Sequence, residues 1–431
     1  MTTVRQPRRR HRSPTRREFL RQGFLSLGLF AIGGELSGCG GSVRIQSKSG
    51  GRLGNIGPLG EPDENGLRIP AGFKSRVLAQ AHRPVAGTTF LWHSDPDAGA
   101  VFPHPEGGWV YVSNCEFIPG GVNAIRFDDA GEIVSAYNVL PRPLTRINCG
   151  GGVTPWGTWL SGEEYGGGLV WECDPLGVAL PQVHRPLGSF AHEAVAVDPA
   201  TNIPYLTEDR SDGRFYRFVP DTPNVGGRPN WSVGKLQAMK VNVAQEELDR
   251  EGATGPWTVE WLDIANPNPL VVEPSVELTT PTRLQAPGST AFDGGEGLWH
   301  QNGILYFGTK GDRRVYALNL AAQTVEVLYD DFFYKQPVLD SVDNLVMTPG
   351  GDIVVSEDKS DPTQQAVALT ADGRIVALVE LSGQQGSEVT GPAFSPDGRH
   401  FYFSSQRGPG AGGQTGMAGI TYCVSGPWFT D

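Results

Sequence analysis

Acidic side chains recur in this chain at the edges of short apolar runs. Asn114-Cys115-Glu116, Glu163-Glu164, Glu208-Asp209, Lys310, Glu357-Asp358 and Gln406 each follow a run of β-branched or aromatic residues. Ahead of the turns that precede those runs stand Asp97, Cys149, Glu193, Glu296, Asp343-Asn344 and Glu388. In an antiparallel hairpin the start of the first strand lies beside the end of the second, so both sets belong on one rim. Roughly ten carboxylates on one rim cannot all ionise without counterions, because a like charge nearby raises a carboxyl pKa. Carboxylate and amide oxygens suit hard cations such as calcium. A thiolate suits iron, zinc or copper. One cysteine among many acids therefore implies a mixed site. The plain alternative is that each acid ends a strand and faces water. Other catalytic patterns are missing: there is no Gly-x-Ser-x-Gly elbow and no His-Glu-x-x-His helix. His192, next to Glu193, reads equally as a ligand and as a core histidine.

The elements that would position these residues are written as an internal repeat. Six segments share a turn and then a short β run: 104–116, 154–164, 198–209, 300–310, 348–358 and 395–406. Their starts are separated by 50, 44, 102, 48 and 47 residues. Spacings near 45 fit four-stranded propeller blades. Residues 220–290, rich in proline and without a matching turn, read as an insertion that accounts for the gap of 102. The expected fold is therefore all-β, a six-bladed β-propeller spanning 61–431; seven blades are the alternative. Composition agrees. Of 431 residues, 58 are glycine, 34 are proline, and only 19% are charged, the profile of a turn-rich β protein.

The front of the chain differs from the rest. Residues 1–38 hold eight arginines and two glutamates, against a net charge of −12 for the whole chain. Arg16-Arg17-Glu-Phe-Leu, the apolar stretch 24–32 and Leu36-Ser-Gly-Cys39 read as a secretory leader of the twin-arginine kind. Cys39 is expected to be lipidated, and 39–60 to be a Gly/Ser-rich tether. The chain is then exported to the periplasm or cell surface and held on the membrane by its lipid. The acidic body excludes nucleic acid as the main partner, since a duplex repels it. A monomer is expected.

Three segments carry a family likeness. They are Asn148-Cys149-Gly-Gly-Gly-Val-Thr-Pro-Trp-Gly-Thr-Trp-Leu-Ser-Gly-Glu163-Glu164, then Phe190-Ala-His-Glu193-Ala with Tyr205-Leu-Thr-Glu208-Asp209, and Glu388-Val-Thr-Gly-Pro-Ala-Phe-Ser-Pro-Asp-Gly398. From about residue 60 to its end the chain resembles the PhoX family of bacterial alkaline phosphatases. The resemblance implies a six-bladed propeller with ferric iron and calcium at one channel mouth, hydrolysing small phosphate monoesters. It makes Cys149 an iron-bound thiolate and Glu193 and Glu296 carboxylate ligands of the iron pair. It puts Glu116, Glu163, Glu164, Asp343, Asn344 and Glu388 in or beside calcium positions. No side chain is singled out as nucleophile, a role the resemblance leaves to a metal-held group. The family usually has Asn-His-Glu where this chain has Asn114-Cys115-Glu116, and a phosphate-holding arginine where it has Gly294. Two other readings stand beside this one: a propeller lactonase with a single divalent ion, and a non-catalytic, lipid-anchored, calcium-binding propeller.

Overall fold

The structure is a computed structural model and describes residues 52–222, 227–272, 276–359, 363–409 and 418–429. The twin-arginine pair Arg16-Arg17 and Cys39 lie outside the described residues. Each of the six repeats is a β-hairpin. The hairpins are β1 (Pro96–Pro103) with β2 (Trp109–Cys115), β3 (Asn148–Val153) with β4 (Trp159–Glu163), β5 (His192–Val197) with β6 (Pro204–Glu208), β7 (Gly295–Gln301) with β8 (Ile304–Thr309), β9 (Leu345–Met347) with β10 (Ile353–Ser356), and β11 (Val389–Phe394) with β12 (His400–Ser405). Their short β-branched and aromatic runs, broken by Gly and Pro turns, suit a pleated strand and not a helical turn.

Each hairpin starts a sheet. Outward from β2 come 121–127 and 133–140, and outward from β4 come 170–173 and 182–183. β10 is followed by 363–369, 375–382 and the short strand Leu67–Arg68. The β5–β6 and β7–β8 hairpins lie at the two ends of one nine-stranded sheet. Within the segment read as an insertion, Gly234–Val241 pairs with Phe215–Pro220, and Trp257–Asp263 bridges from it to Thr324–Asp330. The last sheet closes the chain on itself: Ile420–Ser425 pairs with β12 on one side and with Lys74–Gln80 on the other. Of the stretch read as a tether, Leu53 is buried and bridges to Phe429.

Hydrophobic clusters join each hairpin to the next. Phe102 and Val112 pack with Trp159, Leu160 with Leu206, Phe215 with Phe307, Tyr306 with Val355, and Val354 with Phe401. Tyr402 packs back onto Tyr111 and closes the circuit. The architecture is all-β and propeller-like. Inner strands buried on both faces explain why β2 is apolar along most of its length instead of alternating. The first strand of every hairpin lines a central cavity of about 450 Å³. Among the described residues, no helix is long and apolar enough to cross a membrane.

Candidate metal centre

The first strands are not regular. Pairing shifts between Pro96 and Gly99 in β1, Asn148 and Gly151 in β3, His192 and Val195 in β5, and Gly295 and Leu298 in β7. The first residue inside each shift is Asp97, Cys149, Glu193 and Glu296, in that order. A bulge puts two residues opposite one and re-aims a side chain. Here it turns one chemically active residue per strand to the axis. Asp343 enters from just before β9, where its N–H donates to the Ser356 carbonyl at 3.1 Å.

The bulged segments are latched together around the axis. Asn114 Nδ2 donates to the Cys149 and Gly150 carbonyls at 2.7 and 2.8 Å. Thr207 Oγ1 donates to the Glu296 carbonyl at 2.7 Å, and Gly297 N to the Asp343 carbonyl at 3.1 Å. Gly391 N donates to Asn344 Oδ1, and Thr390 Oγ1 to the Pro96 carbonyl. Between β3 and β5 the contact is backbone on backbone: a Cβ on Gly150 would lie 1.8 Å from the Glu193 carbonyl oxygen, and one on Gly152 1.6 Å from that of Val195. The Gly-Gly-Gly run after Cys149 is therefore a close-approach device.

The result is an arc of three overlapping donor groups: Asp97, Glu116 and Cys149; Cys149, Glu164 and Glu193; Glu193, Glu296 and Asp343. Within each group the ligand atoms lie within 4.8 Å of one another. Two ligands of one ion at ordinary bond lengths are no more than about 5 Å apart, so each group can share an ion. Cys149 and Glu193 each belong to two groups. Glu193 Oε1 and Asp343 Oδ2 are buried and receive no hydrogen bond among the described residues, the condition of a donor waiting for a cation. The donor set fits a mixed centre: sulfur and oxygen at one end of the arc, oxygen alone at the other.

Electrostatics point the same way. Burial, then the charges of neighbouring acids, push the carboxyls of Glu116, Glu193 and Asp343 well above their ordinary value. Burial, with Asp209 nearby, lifts Glu164 to about 7. Burial, then Asp97 and Glu193, hold the Cys149 thiol well above the usual range. Without cations this thiol keeps its proton; a thiolate here requires positive charge beside it.

The other expected residues sort by position. Asn344 braces the arc, donating to Asp343 Oδ1 at 3.1 Å and Asp97 Oδ1 at 3.4 Å. Glu388 pairs with Arg407 at 3.1 Å, at the edge of the arc. Glu163 is turned away from the arc. It accepts from Thr145 Oγ1 at 2.5 Å and from Arg146 N and Leu169 N, both at 3.1 Å. Glu208 and Glu357 act alike, accepting from Arg214 N and Tyr216 Oη, and from Asp340 N and Gln365 N. In each acidic pair the first residue ties down the strands and loops beside its own hairpin, while the second meets the site: Glu164 joins a donor group, and Asp209 and Asp358 approach Lys310. His192 is a core histidine: it stacks on Phe190 at 3.8 Å and contacts the Gly188 carbonyl at 3.0 Å. Asp97, Lys310, Arg407 and Gln406 complete the site. Gln406 Nε2 donates to Asp97 Oδ2 and Glu116 Oε2, both at 2.6 Å. All four are polar residues at strand edges; the bulge register singles out Asp97, and only their contacts single out the other three. The four cysteines among the described residues are all free.

Fold and site together define a propeller-like β protein with a sulfur-and-carboxylate cluster on its axis. The family model described as alkaline phosphatase PhoX matches residues 165–327 and 332–410, more than half of the chain, and the protein belongs to that family. Its fold is similar to PhoX of Pseudomonas fluorescens, solved in complex with vanadate, a transition state analogue. That match has a TM-score of 0.67 at 15% identity and covers 89% of this chain and 98% of that one. A gluconolactonase of Xanthomonas campestris also aligns, with a TM-score of 0.46 at 12% identity, over 87% of this chain and 99% of that one. No curated protein sequence matches.

Proposed function

We propose that this protein is a metal-dependent phosphoester hydrolase of the PhoX type, acting on a small phosphorylated substrate, with its centre on the arc from Asp97 to Asp343. The observation that carries the reading is that Cys149 and Glu193 are each shared by two donor groups, which is how a multinuclear site is built. Iron belongs at the Cys149 end and calcium at the all-oxygen end. Such cations, when bound, neutralise phosphate oxygens and the charge that develops on them in the transition state. The chain's own part is to hold the six carboxylates and one thiol of the arc together, to exclude alternative rotamers by burial, and to offer cationic side chains at the rim. With Gly294 in place of the family's arginine, Arg407 is the group to meet a phosphate oxygen. It stays charged because Glu388 and Glu116 outweigh the effect of its burial.

We read the five larger sheets as six blades, the nine-stranded sheet being two blades joined through Trp257–Asp263. The reading also keeps twin-arginine export, a lipid on Cys39, and a monomer. Replacing Arg16 and Arg17 with lysine should trap full-length precursor in the cytoplasm, and Cys39→Ser should move the protein from membrane to soluble fractions. Unchanged fractionation of both variants refutes that part.

The central test is elemental analysis of the exported protein with an assay on p-nitrophenyl phosphate plus calcium. Iron and calcium together with turnover are expected. Cys149→Ala should lose the visible absorption and more than about 100-fold in turnover, beyond the roughly 10–100-fold that losing a ligand's outer-shell partner costs. A single divalent ion with lactone hydrolysis would favour the lactonase reading. Calcium without turnover would favour the non-catalytic one.

A further inference from the structure

The ends of the second strands form a second ring above the bulged one. The backbone N–H groups of Glu116, Glu164, Asp209, Lys310 and Gln406 all make the same bond, each to a carbonyl just ahead of its hairpin's first strand. Three of these positions carry acids, and Asp358 adds a fourth after β10. Lys310 alone among them is basic. Its Nζ lies 3.0 Å from Glu296 Oε1, 3.2 Å from Asp358 Oδ2 and 3.7 Å from Asp209 Oδ2. The three carboxylates come from three successive hairpins. Glu296 is almost fully buried, and among the described residues the Lys310 ammonium is the cation that meets its Oε1. The ammonium therefore serves that oxygen as a point charge, as a metal ion would. Glu296 is also a member of the third donor group. A lysine held by three carboxylates has little positive field left for a substrate.

Building on the metal-dependent reading, we propose that the Lys310 ammonium is a resident cation of the centre. It holds the place of one divalent ion between Glu296, Asp209 and Asp358. The protein consequently takes up one divalent ion fewer than the same ring would with a neutral residue at 310. Removing the ammonium leaves three convergent carboxylates from different strands, a hard-cation site in oxygen number and spacing.

The test is a calcium count by equilibrium dialysis and elemental analysis on the full chain and its variants. Lys310→Ala should bind one more calcium per chain than the unsubstituted protein, and Lys310→Arg the same number. Added calcium should raise the melting temperature of Lys310→Ala over a range where the unsubstituted protein no longer responds, since binding to the folded state alone stabilises it. If Lys310→Ala folds only with calcium, the proposal stands. If it folds under neither condition, Lys310→Ala/Asp358→Asn decides. That chain, with one negative charge also removed, must fold with the unsubstituted count, and its failure to fold overturns the proposal. An unchanged count in folded Lys310→Ala also overturns it, and a large rise in KM with that unchanged count would make Lys310 a substrate clamp. Failure of the phosphatase reading shows elsewhere, as missing metal or missing turnover in the unsubstituted protein.

Discussion

Glu163 and Glu164 are neighbours with opposite duties, because successive side chains of a strand face opposite ways. Glu163 accepts three hydrogen bonds from the segments flanking its own sheet, while Glu164 belongs to a donor group with Cys149 and Glu193. Glu163→Gln should therefore lower stability by about 1–3 kcal/mol, the range for a lost bond to a charged group, and leave the metal count unchanged. Glu164→Gln should do the reverse, lowering metal content and turnover with little loss of stability in the metal-free chain. Urea unfolding and elemental analysis of the two variants check this; equal metal loss in both would refute the division. The residue types of the site were readable in the sequence, and so was their meeting at one rim. Parity within each acidic pair was not, because it depends on the residue at which the second strand ends and its pairing stops. Asp97 was seen as a rim acid without being given a place among the donors, which the bulge in its strand decides.

At the scale of the element, the hairpin with a bulged first strand is the working unit. Turn and strand signals marked all six hairpins, since Gly, Pro and β-branched runs are local properties. The bulge leaves no local signature beyond an occasional glycine, and pairing partners across 40 or 50 residues of chain cannot be read from one strand. The strands within 220–290 were hidden for a related reason: Gly234–Val241 and Trp257–Asp263 are outer strands, half exposed, with a weak apolar pattern. The glycines of β3 supply the prediction here. A methyl group on Gly152 would meet the Val195 carbonyl at 1.6 Å, backbone against backbone, where no rotamer change relieves the clash. Gly152→Ala should cost about 1–3 kcal/mol of stability or more, the range for overpacking, and should loosen metal binding by displacing Cys149 from Glu193. Gly157→Ala is the control. Gly157 has open space about its Cβ position, so only the strain of its positive φ applies. Thermal unfolding and iron content of both chains test this; equal iron in Gly152→Ala and the unsubstituted protein would count against the close-approach role.

At the scale of the molecule, closure and charge oppose each other. Lys74–Gln80, early in the chain, pairs with Ile420–Ser425 near its end, so the ring of hydrophobic clusters is complete. That closed ring drives carboxylates together on its axis. Each acid whose folded pKa stands above its unfolded one binds protons more tightly when folded. Stability from such a group is full below the unfolded value and is lost as pH rises toward the folded value. For Glu164, raised from 4.5 to about 7 chiefly by burial, the loss falls between roughly pH 4.5 and 7, and linkage makes it on the order of 3 kcal/mol. Glu116, Glu193, Glu296 and Asp343 shift in the same direction and extend the loss to higher pH. The metal-free protein should therefore be most stable near pH 5 and weaken steadily toward pH 8. Bound cations reverse the slope, because ligands must shed their protons to hold them and binding tightens as pH rises. Urea midpoints measured in chelator and in excess calcium, from pH 5 to 8, should cross. Parallel curves would mean that the axial acids are not joined through cations, and would remove the physical basis of the centre.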